Sequence, residues 1–256
     1  MIMELDYGLD SHHQEESNKI RETGLKLQRK QRLEALIIKR KSNFSYIYRI
    51  YNGDSFWLNC VLVTNNELSQ YRLVAPKQRI LMYYYLGIST SKLLMDNLTG
   101  INLVRSFAQL LDEWEYCFAG TAMQSVKFVM AKNSVTPYPE TTLMDNDTHE
   151  NIAKTTIYKF NGSVVYEHLI DQNMPFELDY IEVVHSLAVS LSNLYEYFLH
   201  VDCYTNLIVY DLIVKLDLRI KHHFINLIAK EMTENCINDF KNEMMMLRNM
   251  AGAGMR

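Results

Sequence analysis

INLVRSFAQLLDEWEYCF, residues 101–118, carries a clear amphipathic helical period. Leu103, Phe107, Leu110, Leu111, Trp114, Cys117 and Phe118 recur at steps of three and four, which puts them on one face of a helix. Arg105, Gln109, Asp112 and Glu113 fall opposite. The pattern predicts a central amphipathic helix, with the carboxylates of Asp112-Glu113-Trp114-Glu115 on its solvated side.

Upstream, Pro76 marks a break, since proline lacks a donor and restricts its neighbour. A short helix is expected over Lys77 to Leu86, ended by Gly87, and another over Ser91 to Asn97. Phe56 to Leu62 is ambiguous: Phe56, Leu58, Cys60 and Leu62 alternate, yet Trp57 and Val61 pair at helical spacing. A hairpin turning on Asn52-Gly53 is the alternative there. Further upstream, Leu33, Leu36, Ile37, Phe44, Ile47, Tyr48 and Tyr51 fall within an arc of about 120° at 100° per residue, so a helix beginning near Ser11 should run to an Asn52-Gly53 cap.

Downstream, Pro137, Pro139 and the Asp145-Asn146-Asp147 run make 133–150 the longest expected loop. Asn161-Gly162, between 155–160 and 163–168, is the strongest short-range hairpin signal in the chain. Asp179 with Glu182 opens a helix whose buried face holds Ile181, Val184, Ala188, Leu191, Tyr195 and Phe198. From about Asn206 toward Asn249, Leu212, Leu216, Ile220, Phe224, Leu227, Met232, Cys236, Phe240, Met244 and Leu247 keep the helical period, in one long helix or one broken once.

The fold expected is therefore mainly α: an irregular multi-helix domain with one β-hairpin at about 155–168 and a long C-terminal helix. It divides into a flexible N-terminus (1–12), a helical subdomain (13–132), the loop (133–150), a hairpin with C-terminal helices (151–250) and a flexible tail (251–256), all within one compact unit. Composition agrees: 256 residues, 48% hydrophobic, with nine glycines and four prolines, can bury a sizeable core and favour helices over linkers. No stretch approaches the roughly 18 apolar residues of a membrane span, and the N-terminus lacks a basic-then-apolar signal. Cys60, Cys117, Cys203 and Cys236 lie far apart among apolar neighbours, which predicts reduced, buried thiols and a cytoplasmic or nuclear location.

The formal charge of −4 conceals a segregation. Residues 19–41 hold nine Lys or Arg against two Glu, after eighteen residues with five acids and no base. Lys26, Arg29, Lys30, Arg32, Lys39, Arg40 and Lys41 are candidates for neutralising phosphates, and Lys39-Arg40-Lys41 resembles a short import signal in composition. Against that, the same helix buries an apolar face, so these bases also suit a solvated or protein-contacting side. Met82-Tyr83-Tyr84-Tyr85-Leu86 cannot all face inward, so Tyr83, Tyr84 and Tyr85 join the candidate contacts. Met244-Met245-Met246 suits an adaptable contact surface or a core filler.

Catalytic patterns are absent: no nucleophile elbow, phosphate loop, dinucleotide loop or kinase signature occurs. Glu182-x-x-His185 has the spacing of one half of a di-metal site without the second half. His200, Cys203, His222, His223 and Cys236 lack the paired spacing of a zinc site. No catalytic, cofactor-binding or metal-ligating residue is assigned. The expectation is a non-catalytic adaptor or complex subunit that binds a protein partner or a second copy. The alternative is binding of RNA or DNA by the basic helix; an enzyme with a dispersed site, near His185 or His200, stands third.

Overall fold

The computed structural model describes residues 7–53, 55–120, 155, 157–161 and 163–253. The expected 133–150 loop, within the connection 121–154, and the ends at 1–6 and 254–256 lie outside the described residues. The order is α1 (Tyr7–Tyr51), β1 (Ser55–Trp57), β2 (Val61–Val63), α2 (Asn65–Val74), α3 (Lys77–Met95), α4 (Gly100–Cys117), β3 (Tyr158–Phe160), β4 (Ser163–Val165), α5 (Tyr180–Tyr197), α6 (Val201–Thr205), α7 (Leu207–Ile220) and α8 (Asn226–Ala253), with a π-helical turn, Lys221–Ile225, joining α7 to α8. The protein is mainly α-helical, with a hairpin around Asn161 and a long C-terminal helix.

α1 begins at Tyr7, four residues before the expected start. It ends where Asn52-Gly53 predicts: the Asn52 and Gly53 amides donate to Tyr48 O and Ile50 O, and Gly53 takes φ +78°. The left-handed backbone favours glycine there, and a Cβ would also displace the Asn65 side-chain amide, whose Oδ1 would lie 2.4 Å away. Leu33, Ile37, Phe44, Ile47, Ile50 and Tyr51 are buried, whereas Tyr48 turns to the edge and packs on His185 at 4.4 Å between ring centroids.

Two expectations need correction. Gly87 does not end a helix: α3 runs through it, packed beside Leu187 of α5, where a Cβ would make only ordinary contact at 3.8 Å. Residues 55–63 form a second antiparallel hairpin, with Trp57 opposite Val61 and Ser55 opposite Val63. Its turn is 58–60, with Leu58 and Asn59 left-handed, rather than Asn52-Gly53. Buried Trp57 and Val63 alternate with exposed Phe56 and Leu62, and that alternation is the period-2 signal. The hairpin at 155–168 is present but its strands are three residues each, with Phe160 opposite Ser163.

Contacts fix the directions of the long helices. Arg29 bonds to Tyr204 and Thr205, Arg40 to Asp217, and Trp57 to Thr233, so α1 and the α7–α8 rod advance together and are parallel. Lys41 pairs with Glu196, His185 contacts Tyr48, and Tyr51 contacts Tyr180, so α5 runs antiparallel to α1. One core joins all of these from Leu33 to Cys236, and it spans both expected subdomains. Phe44 packs against Tyr195 and Phe224, Tyr83 against Phe224, and the Trp114 indole donates to Met82 O at 2.7 Å.

Burial stops before the helices do. On α1 every described side chain over 16–28 is exposed except half-buried Lys26; on α8 everything over 241–250 is exposed. Because α1 and α8 are parallel, the N-terminal end of one and the C-terminal end of the other project from opposite ends of the body.

Candidate functional site

Several polar groups inside the body answer one another, while the buried Thr90 hydroxyl has no hydrogen-bond partner among the described residues. Arg40 donates Nε and Nη2 to Asp217 Oδ1 and Oδ2 at 2.6 and 2.8 Å, and Tyr195 Oη donates to Asp217 Oδ1 at 2.8 Å. Arg40 is buried, so it leaves the set of surface contacts read from the sequence; the bidentate bond to Asp217 raises its pKa further. Glu113, expected on a solvated side, is fully buried. It accepts the amides of Glu167, His168 and Leu169 at 2.8–2.9 Å and the Gln109 side-chain amide at 2.8 Å. Ser89 Oγ accepts Ile170 N, and Tyr85 Oη donates to Gln172 O. A segment without a sheet ladder, 167–172, thus obtains its backbone partners from α3 and α4.

A second polar knot joins Tyr51, Tyr180, Arg79 and Glu231. Tyr180 Oη donates to Glu231 Oε2 at 2.9 Å, and Arg79 pairs with the same oxygen. Burial holds the Glu231 carboxyl above its ordinary range despite both partners. In the window between the ordinary and the raised value the folded state binds more protons than the unfolded one, so this group's contribution to stability falls as pH rises through that window. The stability of the wild type minus that of Glu231→Gln should therefore decline as pH rises from about 4 and level off above the raised value. Thermal melts across pH measure it, and a difference that instead grew with pH would show the Arg79 ion pair outweighing burial.

A partly exposed cluster forms beside the π turn, where Arg219 bridges Glu115 and Asp112 at 2.8 and 2.6 Å and His223 Nε2 lies 3.1 Å from Glu115 Oε1. Thr155 donates to the other Asp112 oxygen. These groups pair with one another, and Arg219 holds α4 to α7. His185 Nε2 meets Tyr48 O, and His200 Nδ1 accepts Asp202 N, the N-terminal cap of α6. Cys203 and Cys236 are buried and Cys117 half-buried, with burial pushing the Cys203 thiol up to about 12 and raising the other two. Cys60, in contrast to expectation, is exposed on the hairpin turn.

The other basic candidates divide between two faces. Lys26, Arg29 and Lys30 continue the line of the buried stripe, whereas Arg32 and Lys39 sit about 120° round the helix at 3.6 residues per turn. Lys26 pairs with Glu22; Lys30 reaches Glu34 and the Tyr204 ring; Lys41 pairs with Glu196; Arg29 donates to two carbonyls. Arg32 and Lys39 are exposed. Of the tyrosines, Tyr83 is a core residue whose hydroxyl donates to His223 O, and Tyr84 and Tyr85 are half-buried. The structure does not gather these residues into one patch.

Tyr84 lines an open groove of about 430 Å³ between α3 and α5, with Ile88, Ser91, Met95, Glu182 and Ser190. Ser91 and Ser190 hydrogen-bond each other across it. Further apolar surface lies elsewhere. On α8, Ile237, Phe240, Met244 and Leu247 are 47%, 62%, 52% and 61% exposed and fall on one line of the helix, and Met245, Met246 and Met250 are exposed as well. The periodicity that reads from the sequence as a buried stripe is buried only as far as Cys236. On the hairpin, Phe56, Leu58 and Leu62 are exposed, and Leu58 holds a left-handed φ of 49°.

Among the described residues no helix is long and apolar enough to cross a membrane, and no group of three His, Cys, Asp or Glu is arranged to hold a metal ion. No protein-family model, curated protein or solved structure matches this chain.

Proposed function

We propose that this chain is a non-catalytic helical adaptor or complex subunit whose contact surface is the projecting C-terminal end of α8. The observation that carries this reading is the exposed stripe Ile237, Phe240, Met244 and Leu247 on a helix that continues about 20 Å past the body at 1.5 Å per residue. A free helix end of this length gains little from intrinsic propensity and leaves its large apolar groups in water. Flexible, polarisable methionines beside an aromatic anchor suit a protein surface.

The polar clusters favour the same reading. Asp112, Glu115, Arg219 and His223 are bonded to one another, and Glu113, Arg40 and Asp217 are committed to holding the fold. The alternative, nucleic-acid binding by α1, has less in its favour, since five of its seven bases are paired or bonded within the chain and the other two lie on a different face.

Affinity purification from native cells tests the proposal, comparing the full chain with a Phe240→Glu/Leu247→Glu variant. Both positions are exposed, so melting should not change. The expected result is a stoichiometric protein partner, or a second copy, recovered with the wild type and lost with the variant. Equal recovery with both would remove the α8 end from the contact, and no partner with either would remove the adaptor reading.

A further inference from the structure

We infer that the occupant of the α8 stripe is the same stripe of a second copy, paired parallel and in register as a short two-stranded coiled coil; this rests on the reading of the α8 end as a contact surface. Ile237 and Met244 are seven apart, as are Phe240 and Leu247, and the two pairs interleave at steps of three and four. They occupy the a and d positions of two consecutive heptads. On this assignment Asn242 and Asn249 take the outermost positions, both exposed.

Charge fixes the occupant and the direction. Glu243 falls at g of the first heptad and Arg248 at e of the second, five residues on, both exposed. In a parallel, in-register pair the g side chain of one helix meets the following e side chain of its partner, so two copies form two Glu243–Arg248 pairs by symmetry. An antiparallel pair that stacks Ile237 on Leu247 and Phe240 on Met244 would place Lys241 near Lys241 and Glu243 near Glu243 of the two chains, which is repulsive. Thr233, one step upstream on the same line, is taken by the Trp57 indole at 3.3 Å, so the seam begins at Ile237. Two heptads form a weak dimer that assembles with concentration.

Sedimentation equilibrium of the full chain from about 1 to 200 µM, a range set by weak association, reads the pairing. The expected result is a reversible monomer–dimer equilibrium. Glu243→Arg and Arg248→Glu should each weaken it about tenfold, from lost attraction and added repulsion at two sites. An equimolar mixture of these two variants should restore it as a heterodimer. In a Cys60→Ser background, Leu247→Cys treated with a disulfide oxidant such as oxidised glutathione, which takes up the two electrons and two protons, should give a disulfide-linked homodimer, because d faces d in a parallel pair. All these positions are exposed, and unchanged circular dichroism melts show that the variants fold. A chain that stays monomeric throughout, or a dimer indifferent to the charge exchange or unable to form the disulfide crosslink in the Leu247→Cys variant, overturns the inference. A monomer that still recovers a different protein through the α8 end would overturn only the self-pairing and leave the adaptor reading standing.

Discussion

Asp217→Ala is expected to lower the free energy of unfolding by about 3–5 kcal/mol, the range for breaking a buried ion pair from one side. The carboxylate sits between α1 and α7, about 3% exposed, and receives Arg40 through both oxygens and Tyr195 through one. Alanine leaves a buried guanidinium with no counter-charge and a buried hydroxyl with no acceptor. The loss comes from that uncompensated charge more than from the pair's net value, so Arg40→Met/Asp217→Leu, which replaces both by apolar groups of similar volume, should recover much of it. Urea denaturation of the three proteins measures the difference. A single variant losing under about 1 kcal/mol would contradict the buried geometry.

Glu113→Ala is the second large effect, expected at roughly 3 kcal/mol or more, because three backbone amides and one side-chain amide lose their acceptor in a dry site. Unlike Asp217, whose loss loosens the helix packing as a whole, Glu113 holds one segment. Amide hydrogen exchange should therefore speed up at residues 167–169 before it does so in α4. Glu113→Gln retains one accepting oxygen and should fall between the two. Uniform destabilisation without a local change at 167–169 would mean that the carboxylate supports α4 itself rather than the segment laid across it.

Much of the helical frame is legible in the sequence because its period is carried by many residues at once. Leu103, Phe107, Leu110, Leu111 and Trp114 all lie where their spacing puts them, and the Asn52-Gly53 cap and the Asn161 turn follow from the left-handed backbone those residues accept. What the period does not report is what covers a face. Gln109 and Glu113 read as solvated because they lie opposite an apolar stripe, but α4 is buried nearly all round and a distant segment supplies donors to the Glu113 carboxylate. Gly87 reads as a stop because glycine often follows a helix end, but α3 runs on through it beside Leu187, a hundred residues away.

The buried ion pair does leave a signal in the sequence. Arg40 lies three residues after Ile37 and four before Phe44, inside the apolar line of α1 rather than beside it, and Asp217 stands between Leu216 and Leu218. A charge in line with a core stripe calls for a buried partner, and only the fold says which. The α8 end is the converse case. Phe240, Met244 and Leu247 continue the period of Met232 and Cys236 without change, since an apolar stripe has the same spacing whether its own body or another chain covers it. The boundary between core and contact surface falls within one helix and is visible only where packing stops.

The most direct measurement of the central claim is light scattering on size-exclusion eluate from protein purified under native conditions, with the 260/280 nm absorbance ratio recorded. The account predicts a mass above that of one 30.1 kDa chain with a protein-like ratio, falling to one chain when Phe240 and Leu247 are both replaced by glutamate. A single-chain mass up to the highest concentration loaded with no partner co-eluting, or a raised ratio that collapses in high salt and tracks Arg32 and Lys39 rather than α8, would contradict it.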